Sequence, residues 1–157
     1  LAVYSDGPLC TVRIVTARAK GGDPEFIAAS LRMPAGGSSV DNFAAGGVAA
    51  PVHAGTDTLG VAVSKDPTLP PTSTHPDRGQ RIQGCVVPFW THPKALAIRA
   101  HKHFDQVATV GWDVAITPTG PLLLEANPAW CVELIQMTHG KPLGETRLAE
   151  LCMTYVA

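Results

Sequence analysis

The chain has 157 residues, which suits one domain and leaves no room for two of ordinary size. Apolar residues make up 45% of it, enough to build a core, and this excludes a wholly disordered chain. The 12 basic and 13 acidic side chains nearly cancel, so the charge favours neither a nucleic-acid partner nor an anionic membrane surface. No apolar run approaches the roughly 18 residues of a spanning helix, so membrane insertion is not expected.

The four cysteines indicate the redox environment. They lie far apart in apolar surroundings and form no CxxC pair. No basic stretch followed by an apolar one suggests a secretory signal. We therefore expect a reduced, cytoplasmic protein with buried thiols, and we prefer this to a disulfide or a zinc site. The cysteines are Cys10, Cys85, Cys131 and Cys152.

Strands are predicted in the first half of the chain. Residues 11–18 carry alternating β-branched side chains, which is typical of a strand. The turn-forming residues 20–25 then lead into a returning strand at residues 26–33. Residues 48–64 predict a second hairpin that turns near Gly55.

A long segment of small residues separates these two hairpins. Residues 34–51 are rich in Gly, Ser and Ala, which favours a loop that moves or closes on a ligand. A plain glycine-rich connector is the alternative, and composition alone favours it. Beyond the second hairpin, the prolines of residues 66–76 predict irregular surface chain, and residues 81–87 predict a short strand.

Two helices are predicted, at residues 93–104 and at about 143–155, because apolar side chains recur there at a spacing of three to four. On the first helix His101 and His103 are about 200° apart, so we interpret them as surface or core-edge side chains and not as metal ligands. Strands followed by a helix, twice in succession, predict an α+β layer instead of a doubly wound sheet.

A third hairpin is predicted in the second half. Residues 110–117 and residues 122–127 each have the character of a strand. The link Pro118-Thr119-Gly120 suits a three-residue loop that ends on glycine in a left-handed conformation. Such a loop sets the register, so that Thr117 lies opposite Pro121.

This register brings together three oxygen-bearing side chains. Asp113 lies opposite Glu125, and alternation puts Asn127 on the same face. Facing carboxylates repel each other, and no Lys or Arg lies within three residues of either, so a bound cation would stabilise them. Carboxylate and amide oxygens suit Mg²⁺. The alternative is that both acids point to solvent and Asn127 only begins a turn, but the apolar flanks place the acids at a core edge.

These residues resemble the ATP-grasp superfamily, in which an aspartate and a later Glu-x-Asn hold the magnesium ions of Mg-ATP. Asp113 and Glu125-Ala-Asn127 match in type, order and spacing. Their flanks are similar to the sugar-transfer-associated ATP-grasp proteins, which are related to α-L-glutamate ligases. Residues 12–16, 40–47 and 139–144 also agree, so the resemblance covers the chain from about residue 10 to its end.

The resemblance implies an α+β fold with an antiparallel ATP-grasp-like sheet and helices packed on one face. It implies ATP and Mg²⁺ as cofactors, with Glu125 bridging two magnesium ions, Asp113 on one of them and the Asn127 amide oxygen on the other.

The resemblance also implies a set of phosphate ligands. Arg13 is expected to contact the terminal phosphate and is the residue to which we assign a catalytic role; a surface arginine on the sheet is the alternative. Asn42, Gly46 and Gly47 are expected to close over the phosphates. For His139 we prefer a surface position to a role near the acceptor.

The implied reaction is ligation. ATP phosphorylates a carboxylate to give an acyl phosphate, which an amine attacks to form an amide bond in the modification of a surface polysaccharide or peptide. Small-molecule carboxylate and amine substrates are the expected partners. Two alternatives stay open: a non-catalytic module that binds a nucleotide or sugar, and an ATP-grasp kinase.

The superfamily grips its nucleotide between two subdomains, and the first supplies lysines for the α- and β-phosphates. We expect residues 1–157 to be the C-terminal portion of a single ATP-grasp domain, incomplete at its N-terminus. Its expected partner is the N-terminal ATP-grasp subdomain. Alone, this portion is expected to bind ATP weakly and to be inactive.

Overall fold

The computed structural model describes residues 1–5, 7, 9–36, 43 and 46–156. Within them six strands form one sheet in the order β4-β3-β2-β1-β5-β6, and all neighbours are antiparallel. The strands are β1 (Thr11–Ala17), β2 (Glu25–Met33), β3 (Val48–Pro51), β4 (Val63–Ser64), β5 (Thr109–Thr117) and β6 (Gly120–Asn127). The helices are α1 (Thr91–His101), α2 (Val132–His139) and α3 (Arg147–Met153), with 3-10 turns at Ala2–Tyr4 and Leu143–Glu145.

The structure confirms the α+β class and the antiparallel sheet. Strands β1, β2, β5 and β6 lie within two residues of their predicted bounds. The predicted hairpin over residues 48–64 forms through β3 and β4, but residues 81–87 contribute only isolated bridges within the described chain. The predicted helix at 143–155 is divided into a 3-10 turn and α3. Helix α2 was missed because eight residues are too few for a clear apolar period.

Helices cover both faces of the sheet, which differs from the expectation of helices on one face. On one face, here called the α1 face, Trp112 belongs to the same core cluster as Ala97 of α1. On the opposite face, here called the α2/α3 face, Val15 packs with Ile135 of α2 and Leu151 of α3. Strand β1 is therefore buried at all seven positions.

The β5–β6 pair adopts the predicted register at one end only. Asp113 pairs with Glu125, as expected. Thr117 pairs with Gly120, one residue earlier than expected, because the link has two residues and not three. A β-bulge that leaves Leu124 without a partner restores the register before the acids. The bulge thus keeps the two carboxylates opposite each other.

His101 is fully buried under the α1 face, which corrects its assignment to the surface or core edge. Its Nε2 donates to the Val107 carbonyl oxygen at 2.9 Å, so Nδ1 accepts from the Thr16 hydroxyl at 2.7 Å. The Trp112 indole N–H donates to the same hydroxyl at 2.8 Å. Burial lowers the pKa of His101, so the ring stays neutral in this fully paired network.

The described helices are short and the cysteines are unbridged. Among the helices in the described part of the chain, none has the length and apolar character needed to cross a bilayer. All four cysteines are free thiols. Cys10 is buried as expected, whereas Cys131 is exposed and the other two are partly exposed.

Candidate functional site

A row of charged side chains crosses the α2/α3 face of the sheet. Arg13 of β1 is the register partner of Asp113 of β5, which is in turn the partner of Glu125 on the edge strand β6. Cross-strand partners point to the same face, so three adjacent strands present these side chains side by side. The row therefore joins the predicted phosphate ligand to both predicted carboxylates.

Two arginines neutralise Asp113. Arg13 Nε donates to Oδ1 at 2.5 Å, and Arg32 Nη2 donates to Oδ2 at 2.9 Å. All three side chains are nearly buried, with 8%, 12% and 9% exposed for Arg13, Arg32 and Asp113. Charge-assisted hydrogen bonds are strong in such surroundings. The fold thus supplies the basic neighbours that the local sequence lacks, which corrects the expectation that Asp113 needs a bound cation to offset its charge.

Arg32 is the site residue that the sequence analysis missed. A β-bulge at Ile27 shifts the β1–β2 register by one residue. With this shift Arg32 pairs with Thr11 and shares the face of Arg13, whereas without it Arg32 would lie on the α1 face. The available signal was a charged residue within an otherwise apolar strand, but nothing in the sequence predicts the bulge.

Asn127 lies on the same face, at the end of β6. It pairs with Gly111, and its Oδ1 accepts a hydrogen bond from the Ala129 backbone N–H at 3.0 Å. Asn127 thus begins a turn, which was the alternative in the sequence analysis. It also lies on the same sheet face as Asp113 and Glu125, as predicted for the ligand set. Gly111 is required here, since a Cβ would lie 2.5 Å from the Trp130 Cβ.

The oxygen donors at this position fit magnesium chemically. Each Asp113 oxygen accepts one guanidinium hydrogen bond, and each has a second lone pair. Glu125 is exposed and has no hydrogen bond or ion pair with the residues that the structure describes. Within the described ranges no three or more His, Cys, Asp or Glu side chains form a group that could hold a metal ion, and the oxygen donors at this position belong to Asp113, Glu125 and Asn127. All-oxygen sets suit Mg²⁺ better than zinc.

The predicted phosphate loop is described only in part. Asn42 lies outside the described residues. Gly46 is exposed with a φ of +97°, a conformation that favours glycine, and Gly47 is buried directly before β3. Phe43 is buried against Leu134 of α2. This contact fixes one point of the loop segment against the α2/α3 face.

A small cavity lies beside the two arginines, near the start of α2. Its volume is about 90 Å³, and its charged lining consists of Arg13, Arg32, Lys65 and Glu133. Lys65 Nζ lies 2.9 Å from Glu133 Oε2, and this hydrogen bond raises the pKa of Lys65. The cavity therefore has three cationic side chains and one carboxylate.

His139 is partly buried, which corrects the preferred surface position. Its Nε2 donates to the Ala29 carbonyl oxygen at 3.0 Å. Burial lowers the pKa of His139. The ring therefore holds the end of α2 against β2 in its neutral form.

Over residues 1–152 the sequence matches the family model described as sugar-transfer associated ATP-grasp. The chain belongs to this family. The resemblance given by the metal and phosphate motifs is thereby confirmed, and ATP binding is the general function that the family supports. ATP-grasp domains generally bind ATP with Mg²⁺. A search of curated proteins found no match.

Proposed function

We propose that this protein is the Mg-ATP-binding part of an ATP-grasp ligase that forms an amide bond through an acyl phosphate. The row of Arg13, Asp113 and Glu125 on one sheet face carries the proposal. Phosphoryl transfer depends on alignment and charge neutralisation, and the row provides a fixed cation beside carboxylates. We further propose that residues 1–157 act in the cytoplasm as the C-terminal portion of one ATP-grasp domain.

In this proposal the metal ligands are Asp113, Glu125 and the amide oxygen of Asn127. Magnesium bound there would neutralise phosphate charge. Asp113 has a second task, since its ion pairs hold the guanidinium groups of Arg13 and Arg32 in fixed positions. Preorganised donors lose little freedom when an anion binds, so this arrangement favours phosphate contacts.

The terminal phosphate is assigned to Arg13, whose planar guanidinium offers several donors to phosphate oxygens. Asn42 and the backbone N–H groups of Gly46 and Gly47 are proposed to cover the phosphates. The chain's part in the reaction is thus to bind, orient and neutralise the triphosphate.

The proposed reaction has two steps. A carboxylate oxygen of the first substrate attacks the γ-phosphorus, the bond to ADP breaks, and an acyl phosphate forms. An amine nitrogen then attacks the acyl carbon, phosphate leaves, and the nitrogen loses a proton. The acceptor belongs to surface polysaccharide or peptide modification.

Glu125→Gln in the full-length protein tests the metal site. Glu125 is exposed and unpaired among the described residues, so its amide variant is expected to fold normally. We expect magnesium to lose most of its effect on ATP affinity, measured by calorimetry with and without the metal. Glu145→Gln, the same exchange at an exposed position after α2, is the matched control. An unchanged magnesium dependence in Glu125→Gln would exclude the proposed site.

A turnover assay tests the reaction class. We expect ADP release by the full-length protein only when both a carboxylate and an amine are supplied. Release that depends on an alcohol instead identifies a kinase, and nucleotide binding without release identifies a non-catalytic module. Either result would replace the ligase proposal.

A further inference from the structure

The cavity beside the two arginines contains hydrogen-bond donors that the fold leaves unpaired. Only 6% of Arg13 is exposed. Among the described residues, its Nε makes the one side-chain hydrogen bond, to Asp113. Its terminal nitrogens Nη1 and Nη2 have no such partner, and the side chain lines the cavity. These donors open into the cavity and are free to pair, so a ligand with acceptor oxygens would bind them and fix their position.

The size and charge of the cavity limit the ligand. The cavity volume is about 90 Å³. A cavity needs roughly 10–15 Å³ to hold one water, so this cavity has room for several waters or for one small oxyanion. The charged lining is three cations and one carboxylate, which favours an anion. Lys65 and Glu133 form an exposed pair, with 46% and 47% of the side chains accessible, so Lys65 can change partner at little cost.

We propose that this cavity is a phosphoryl-oxyanion site in which Lys65 is a third cationic ligand and exchanges Glu133 for the anion. Arg13 supplies the unpaired donors, and Arg32 stands beside it through their shared partner Asp113. The proposal rests on the assignment of Arg13 to phosphate in the proposed function, and it adds Lys65 with Glu133 as its competitor. The anion is either free phosphate or the terminal phosphate of a nucleotide.

Cys131 provides the readout, because it is exposed and lines the same cavity. The full-length protein is alkylated with iodoacetamide at constant ionic strength while inorganic phosphate is titrated, and labelling is measured for each cysteine. We expect saturable protection of Cys131, and none of Cys152, which serves as the internal reference. The concentration at half-protection gives the affinity, independent of the intrinsic reactivity of the thiol.

Two substitutions of opposite charge test the exchange. We expect Lys65→Met to weaken phosphate binding about fivefold, and Glu133→Gln to tighten it, since the competitor is removed. Lys102→Met and Glu150→Gln make the same changes of charge in exposed ion pairs on other elements, and we expect neither to change the affinity. If the control variants change the phosphate affinity as much as Lys65→Met and Glu133→Gln do, Lys65 acts only through long-range charge and the proposal is overturned.

Further protection measurements identify the source of the anion, and a comparison of variants separates this inference from the proposed function. Protection by both phosphate and ATP supports the nucleotide phosphate, and protection by phosphate alone supports free phosphate. No protection by either, or equal protection by acetate, overturns the phosphoryl site. If Arg13→Met removes phosphate protection while Lys65→Met does not change it, the Lys65 inference fails and the assignment of Arg13 stands.

Discussion

The two faces of the sheet are built from the same strands, yet the side chains that they bury differ in chemistry. On the α1 face, Ile14 and Trp112 are completely or almost completely buried in an apolar core, and both ring nitrogens of His101 in that core are hydrogen-bonded. On the α2/α3 face, the neighbouring residues Arg13 and Asp113 are also buried, each with 6% exposed, but they are charged, and the terminal Arg13 nitrogens have no hydrogen-bond partner among the described residues. Burial alone therefore does not distinguish the apolar core from the candidate site, whereas unpaired donors that open into a cavity do.

Truncation of the core on the α1 face is expected to have the largest effect on stability. Trp112→Ala removes a side chain that is 1% exposed and that contacts the rings of His101 and Phe104. We expect a loss of about 3–5 kcal/mol in the free energy of unfolding, measured by urea denaturation. Trp112→Phe, which keeps most of the area but loses the hydrogen bond to Thr16, should cost far less. Similar losses in both variants would contradict the packing account.

Breaking the ion pairs on the α2/α3 face is expected to come second. Asp113→Asn leaves two nearly buried guanidinium groups without their countercharge. Removing one partner of a fully buried pair costs about 3–5 kcal/mol, and the residual exposure reduces our expectation to about 2–3 kcal/mol. Glu25→Gln also changes a paired carboxylate to an amide, but the ion pair of Glu25 with Arg147 is exposed, so this variant should change stability little. A loss at Asp113 no larger than that at Glu25 would show that the site is solvated.

The unpaired Arg18 allows a test with the opposite sign. Its Nε and Nη1 are buried and have no hydrogen-bond partner among the described residues, and only 9% of the residue is exposed. Arg18→Met keeps the apolar stem and removes the unpaired charge, so we expect a gain of about 1 kcal/mol in stability. Arg13→Met, which breaks the pair with Asp113, should instead lose stability. Destabilisation by both variants would show that Arg18 has a partner in solution.

The smallest expected effect is a pH dependence to which two histidines contribute, His101 under the α1 face and His139 at the end of α2. Burial lowers the pKa values of His101 and His139 from the ordinary value of 6.5, so the unfolded chain binds these protons more readily than the folded chain. Stability is thus fully present above about pH 6.5 and falls as the pH decreases below it. Urea midpoints from pH 7.5 to 5.5 measure this slope. His101→Gln should reduce the slope and the exposed His103→Gln should not, and equal slopes in the two variants would exclude a contribution from His101.

Two bulges explain why the sequence predicted the acidic pair of the candidate site but not Arg32. The order and spacing of Asp113 and Glu125 predicted their pairing, although the loop length assumed for it was wrong and the Leu124 bulge compensated. Arg32 was not predicted, because its face depends on the bulge at Ile27. A one-residue shift costs little locally but reverses every following side chain, and tertiary packing selects it.

By itself the sequence determined the bounds of β1, β2, β5 and β6 to within two residues, the α+β class and the family, since these depend on local alternation and on motif spacing. The tertiary structure decided that both faces are covered, that His101 is buried, and that two arginines hold Asp113 from 100 and 81 residues away. Such contacts depend on register and helix placement. They are set by the free energy of packing the whole chain and not by any short segment of it.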